Sequence, residues 1–192
     1  MNYFEVANKV KENSIKSISP LRGNDFIEDC ISRLNKKVPI HFRSDDWCSN
    51  LFGSVGIYLF WVKFANYEKD LSDFQNNWKS AKEAISYYPQ FNKKRARALQ
   101  EIKQYNLKGY LPFYLGKSEN IRSRVKQHIF LDGNKTTYAL KLKAICENQK
   151  SIGQNSFFVS QLSLPFLNES HFLLDIVETE LRNKLNPIIG KQ

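Results

Sequence analysis

Residues 54–64, SVGIYLFWVKF, constrain this chain more than any other stretch. They carry a single charge, at Lys63, and are otherwise dominated by β-branched, aromatic and aliphatic side chains. Such a composition reads as a buried strand. A strand needs partners, and two further segments qualify: LPFYLG at 111–116, and Ser156–Leu164, which Pro165 ends. Between the first two, Ala65–Tyr110 reads mostly as helix, one near Asp70–Tyr87 and another opened by Pro89 and running to about Tyr105.

The rest is helical punctuation around that sheet. Residues 2–37 predict two short amphipathic helices, with Tyr3, Val6 and Val10 on the first and Phe26, Cys30 and Leu34 on the second. Asn24 or Asp25 would cap the second, Pro39 ends it, and a polar stretch around Arg43–Asn50 follows. After the second strand come a helix from about Glu119 to Leu131, a turn at Asp132-Gly133-Asn134, and a helix capped by Thr136 or Thr137 that runs to about Glu147. The last helix spans about Glu169–Lys184 and stops before Pro187. Together these predict an α+β fold: a small mixed or antiparallel three-stranded central sheet flanked by helices. The whole of 1–192 forms one domain, with a helical N-terminal extension at 1–50 and a helical insertion at 65–110 between the first two strands.

At 192 residues the chain can bury one sizeable core, and 42% apolar content excludes a disordered protein. Its formal net charge of +10 suits a polyanionic partner, although charge alone selects nucleic acid only weakly. Cys30, Cys48 and Cys146 are widely spaced and odd in number, which argues against a disulfide framework or a zinc site and suits a reducing cytoplasm. No run reaches the length of a membrane span.

Chemistry concentrates on two strands and two helices. Val55, Ile57, Leu59 and Trp61 share one face of the first strand, leaving Gly56 and Tyr58 on the other. On the second, Leu111, Phe113 and Leu115 share a face, leaving Tyr114 and Gly116. Antiparallel pairing with Tyr58 near Tyr114 would set the two glycines opposite each other, beside two phenols, on a floor that a phosphodiester could approach. Either strand alone reads better as core tyrosine and bulge glycine; the segments that follow are what weigh against that. The following helix buries Ile121, Val125 and Ile129 and carries Arg124 and His128 four apart along one flank. Lys117 precedes that helix, whose first turn would offer free N–H groups to a phosphate. Arg122 reads as a solvated surface charge. On the last helix, Glu178 interrupts the stripe Leu174, Val177, Leu181 and Leu185, and such a carboxylate needs a partner: a divalent metal, Arg124, or another cation. Glu180 is spaced to pair with Lys184 on the surface.

At these residues a family resemblance becomes specific. Gly56-Ile57-Tyr58, Tyr114-Leu115-Gly116, the run YLGKSENIRSRVKQH, and Glu178 with Leu181 and Pro187 together resemble the GIY-YIG nucleases over about residues 54–64 and 111–190. Two departures stand out. Fifty-five residues, Leu59–Phe113, separate the signature strands, and Pro187-Ile188-Ile189-Gly190 replaces the Asn that many members carry shortly after the proline.

The resemblance implies hydrolysis of DNA phosphodiesters with Mg²⁺ or Mn²⁺ held by Glu178. Arg124 would stabilise the phosphate, Tyr58 would activate water, and Tyr114 would orient or share that role. Lys117 would assist, and His128 is the alternative base. The small stand-alone chain resembles the restriction endonucleases of the family, which act as homodimers on duplex DNA; a repair or mobile-element nuclease is less favoured. A non-catalytic nucleic-acid-binding protein that keeps the fold is the competing class. In the insertion, Lys93, Lys94, Arg95 and Arg97 could contact phosphates along a groove, and a solvated basic face explains them equally well.

Overall fold

A computed structural model describes residues 12, 16, 18–64, 67–80, 109–133, 135, 138–153, 155–167 and 171–190. The first expected helix, with Tyr3, Val6 and Val10, lies outside the described residues, as do the Pro89–Tyr105 helix and the Lys93–Arg97 cluster.

The mixed α+β expectation holds in its coarse form, but among the described residues the sheet has four strands. In chain order the elements are α1 (Asn24–Leu34), β1 (Val38–Pro39), a 3₁₀ turn (Asp46–Asn50), β2 (Gly56–Lys63), α2 (Tyr67–Ser80), β3 (Tyr110–Ser118), α3 (Ile121–Phe130), α4 (Leu142–Asn148), α5 (Lys150–Gly153), β4 (Ser156–Ser163) and α6 (His171–Leu185). The strands pair antiparallel in the order β1-β4-β2-β3, and an isolated parallel bridge joins Tyr114 to Ile189. The strand that sequence reading missed is the two-residue β1, too short to show periodicity; its Pro39 is tolerated because β1 lies at the sheet edge.

β2 is central, paired along its whole length with both neighbours, which accounts for its nearly uninterrupted apolar run. One face of the sheet, with Val55, Ile57, Leu59, Trp61 and Leu115, packs on α1 and α6 through Ile27, Cys30, Leu34, Leu174, Val177 and Leu181. The other, with Tyr58, Phe60, Val62 and Phe113, packs on α2 through Phe74 and Trp78 and on α3 through Ile121, Val125 and Ile129. Helices therefore cover both sides.

A β-bulge corrects one face assignment. The register slips between Phe60, which faces Tyr114, and Trp61, which faces Pro112. Phe113 is the extra residue, so it joins the Tyr58 face while Leu115 falls on the opposite one. Pro112 can sit there because a bulge in an edge strand removes the demand for its missing N–H.

Boundary chemistry differs from expectation in two places. Gly23, with no side-chain hydrogen bond, caps α1 rather than Asn24 or Asp25. Residues 138–140 have no regular structure, and Lys141, in the left-handed region at φ 53°, caps the start of α4. Thr136 and Thr137 lie outside the described residues. Past α6, Asn186 turns at φ 49°. The chain then returns to β3, where Ile188 N–H donates to Pro112 O (3.2 Å) and Ile189 N–H to Phe113 O (2.8 Å). Among the described residues, no helix is long and apolar enough to cross a membrane.

Candidate functional site

Tyr58, Tyr114, Arg124, His128, Lys117 and Glu178 do converge, but not in the register anticipated. Tyr58 pairs with Gly116, and Gly56 with Ser118, so the two glycines are not opposite each other. Nor do they form an open floor. A Cβ on Gly116 would lie 2.6 Å from Tyr58 Cζ, so the glycine makes room for the phenol itself. A Cβ on Gly56 would meet Ile121 Cδ1 at 2.9 Å and, closer still, the Leu162 carbonyl. Both glycines serve packing of the site's own parts.

The two phenols remain neighbours, ring centroids 6.4 Å apart, and His128 lies against both at 5.4 Å and 5.0 Å. His128 Nδ1 accepts from the Leu140 N–H at 2.9 Å, and Nε2 lies 2.9 Å from the Tyr58 hydroxyl. A backbone N–H can only donate. Nδ1 is therefore an acceptor, and the neutral ring carries its hydrogen on Nε2, which donates to Tyr58. That leaves the Tyr58 proton directed away from His128. Burial holds the His128 pKa well below its ordinary value, with the Arg124 charge adding to the effect. Burial likewise raises both phenols; Tyr114 adds to the rise at Tyr58, while Arg124 opposes it at each. Tyr58 is 1% exposed and His128 0%, whereas Tyr114 is half-buried. Tyr114 is thus the phenol with access from outside.

Arg124 is aimed by its surroundings. Its Nη1 donates to Gln127 Oε1 and its Nη2 to the Tyr138 carbonyl, each at 2.8 Å. The 138–140 segment thus braces two site residues from alternate positions, Tyr138 O on Arg124 and Leu140 N–H on His128. Both contacts are backbone-made, so no side-chain pattern announced them.

Arg124 also lines a cleft of about 450 Å³ with Lys117, Asn120, Ser123, Gln127 and Leu174. The start of α3 opens onto it, but the expected free N–H groups are not there. Ile121 N–H donates to Ser54 O, Arg122 N–H to Phe52 O, Ser123 N–H to Asn120 Oδ1, and Arg124 N–H to Asn120 O. With the first turn saturated, an anion in this cleft would be held by side chains such as Lys117 and Arg124. Arg122 is not merely a solvated charge either; its guanidinium donates to Leu51 O (2.9 Å) and Ser49 O (3.0 Å) and ties down the 3₁₀ turn.

Glu178 finds its partner within its own helix. Its Oε1 accepts from Arg182, which also donates to Leu115 O at 3.0 Å, and its Oε2 lies 3.9 Å from Lys117 Nζ. The partner is another cation, not Arg124. Arg182 escaped sequence reading, although its i+4 spacing was a usable signal. Asp175, one turn earlier, also pairs with Lys117 and was missed. Glu180 pairs across to Arg22 at 3.2 Å, and Lys184 to Glu28 at 3.6 Å, instead of with each other.

Among the described residues no group of three or more His, Cys, Asp or Glu side chains could hold a metal ion. Glu178 and Asp175 nevertheless fit a hard, largely hydrated cation, which takes one or two carboxylates and fills its other positions with water and phosphate oxygen. Cys30, Cys48 and Cys146 are separate free thiols, pushed up by burial to about 11, about 11 and about 12. Comparisons with models of known families, with curated proteins and with solved structures return no match.

Proposed function

We propose that this chain is a divalent-metal-dependent endonuclease that hydrolyses DNA phosphodiesters. One observation carries the reading. Two phenols and a buried imidazole from β2, β3 and α3 meet a guanidinium and a carboxylate–ammonium cluster at one edge of β3, beside a cleft that Lys117 and Arg124 line together with Glu119. The resemblance to the GIY-YIG nucleases assigns the same residues.

Glu178, with Asp175 beside it, would hold Mg²⁺ or Mn²⁺, which supplies Lewis-acid neutralisation of the leaving 3′ oxygen. Arg124 offsets charge on the phosphate as water attacks. Tyr114, the phenol open to the cleft side, would first lose its own proton to solvent, a loss that a cation bound beside it favours, and its phenolate oxygen would then take the proton of the attacking water. Tyr58 stands behind it, its hydroxyl accepting from His128 and its own proton left to turn toward a phenolate at Tyr114, whose negative charge it would stabilise. His128 has both nitrogens engaged, which favours a positioning role over that of a base. Lys117 keeps the carboxylates of α6 turned toward the cleft. The finer reading is a cytoplasmic, homodimeric restriction-type enzyme.

Incubation with plasmid and genomic DNA in Mg²⁺, Mn²⁺ or EDTA, followed by mapping of the ends, tests the reading. Discrete metal-dependent fragments support a restriction-type enzyme, and smearing a non-specific nuclease. A second reading, a non-catalytic DNA-binding protein, is favoured by the engagement of Glu178 with Arg182 and Lys117. Binding without cutting under every metal condition would establish it over the first.

A further inference from the structure

Asn120 and Gln127 are exposed, and both line the cleft of about 450 Å³ that Arg124 also lines. One end of each amide is already engaged. Arg124 Nη1 lies 2.8 Å from the Gln127 amide, and because a guanidinium has only donors, the atom it meets must be the oxygen. Ser123 N–H lies 2.9 Å from the Asn120 amide, and a backbone N–H likewise only donates, so there too the oxygen is taken. What remains on both side chains is the NH₂ group, and neither NH₂ has a partner among the described residues. Ser123 lines the same cleft, and its hydroxyl is equally unpartnered. Positions 120, 123, 124 and 127 recur in steps of three and four, so one side of α3 and its cap carries them all. The result is a row of neutral donors about 10 Å long, at roughly 1.5 Å per residue, around one guanidinium. Glu119 is the one acid among the described residues of the cleft wall. Phosphodiester oxygens only accept, and amide and hydroxyl side chains are among their usual partners. A base edge matches less well, since an amide reads adenine through its oxygen and NH₂ together and here the oxygen is spent.

We infer that the NH₂ groups of Asn120 and Gln127, with the Ser123 hydroxyl, form a neutral track for the phosphodiester backbone next to the phosphate at Arg124. This rests on the nuclease reading and specifies how the site holds its strand: by the backbone, without reading bases. Neutral donors release no counterions, so the track has a signature in salt dependence that cations lack. Removing the Gln127 amide leaves Arg124 braced by the Tyr138 carbonyl.

The test measures the anisotropy of two fluorescein-labelled duplexes of unrelated sequence in EDTA, over a salt series, with wild type, Gln127→Met, Asn120→Ser and Arg124→Ala. Thermal melting confirms folding; serine keeps a cap on α3, and methionine keeps the length of the side chain. Gln127→Met and Asn120→Ser should each weaken binding about three- to tenfold on both duplexes. The slope of log Kd against log salt should stay at the wild-type value in both, whereas Arg124→Ala should lower it by about 0.9. Wild-type affinity in either amide variant, a loss confined to one duplex, or no duplex binding by wild type overturns the track. So does a slope in Gln127→Met that falls as it does in Arg124→Ala, because Gln127 would then act only through the guanidinium. The nuclease reading stands or falls separately. If metal-dependent cutting occurs while either amide variant binds as wild type does, only the track falls. If nothing is cut with any metal yet both variants bind weakly at an unchanged slope, the track stands and the nuclease falls.

Discussion

Tyr58 stands across the strand pair from Gly116, and its phenol occupies the volume that a side chain at 116 would need. Alanine at 116 must therefore push the ring off His128. Gly116→Ala should cost on the order of 1–3 kcal/mol, as overpacking does, and should cripple cleavage. Adding Tyr58→Leu should return part of the stability and none of the cleavage. Urea denaturation of the two single variants and the double variant checks the coupling; simply additive losses would show that the residues are independent.

Arg124 and Glu178 are the residues on which cleavage should depend most. Arg124→Ala and Glu178→Ala should each lower the rate by about 100-fold or more while leaving a folded protein, judged by circular dichroism. Wild-type rates in either variant would sink the site assignment.

The two phenols should separate by experiment. Tyr114→Phe should lower the cleavage rate by about 100-fold or more at unchanged melting temperature. Tyr58→Phe should reduce both rate and stability, because it leaves the buried Nε2–H of His128 without an acceptor. If Tyr114→Phe cuts normally, Tyr114 does not handle the proton.

His128 makes stability depend on pH in a defined direction. Its ordinary value is 6.5, and the folded protein holds it well below that. Under acid the unfolded chain takes up a proton that the folded chain refuses. Stability is therefore complete above about pH 6.5 and is lost as pH falls toward the folded value, with a slope approaching ~1.4 kcal/mol per pH unit from this group. Urea midpoints of wild type and His128→Gln across that range should show a flatter profile for the variant; identical slopes would rule His128 out as the source.

Arg182 holds a structural post that only the fold reveals. Arg182→Ala leaves the Leu115 carbonyl and Glu178 Oε1 without this donor, and should destabilise by about 1–3 kcal/mol in thermal or urea melts. Arg182→Lys should recover part of that loss. No loss in the alanine variant would mean that other groups or water take over both acceptors.

What the sequence disclosed, and what it did not, divides along physical lines. The apolar run of β2, the alternation in β4 and the helical stripe of α6 are each imposed by burial, so residue type reports them directly. That Tyr58, Tyr114, His128 and Glu178 come near one another was legible too, since phenols, an imidazole and a carboxylate in an apolar stripe are chemically conspicuous, whereas Asp175 and Arg182 were missed. The register was not. It hangs on the room that Gly116 leaves for the Tyr58 ring and on one extra residue at Phe113, and neither leaves a periodic trace. The saturated start of α3 and the brace from residues 138–140 were equally hidden, because carbonyls and N–H groups look the same at every position.

Phe74 and Trp78 of α2 stack on each other and press edge-on against Phe113, with centroids 5.7 Å and 5.2 Å from its ring. The described part of the stretch joining β2 to β3 is therefore a plug that seals one face of the sheet. An engineer who trimmed the connection back to the Lys63–Tyr110 pair would uncork the core.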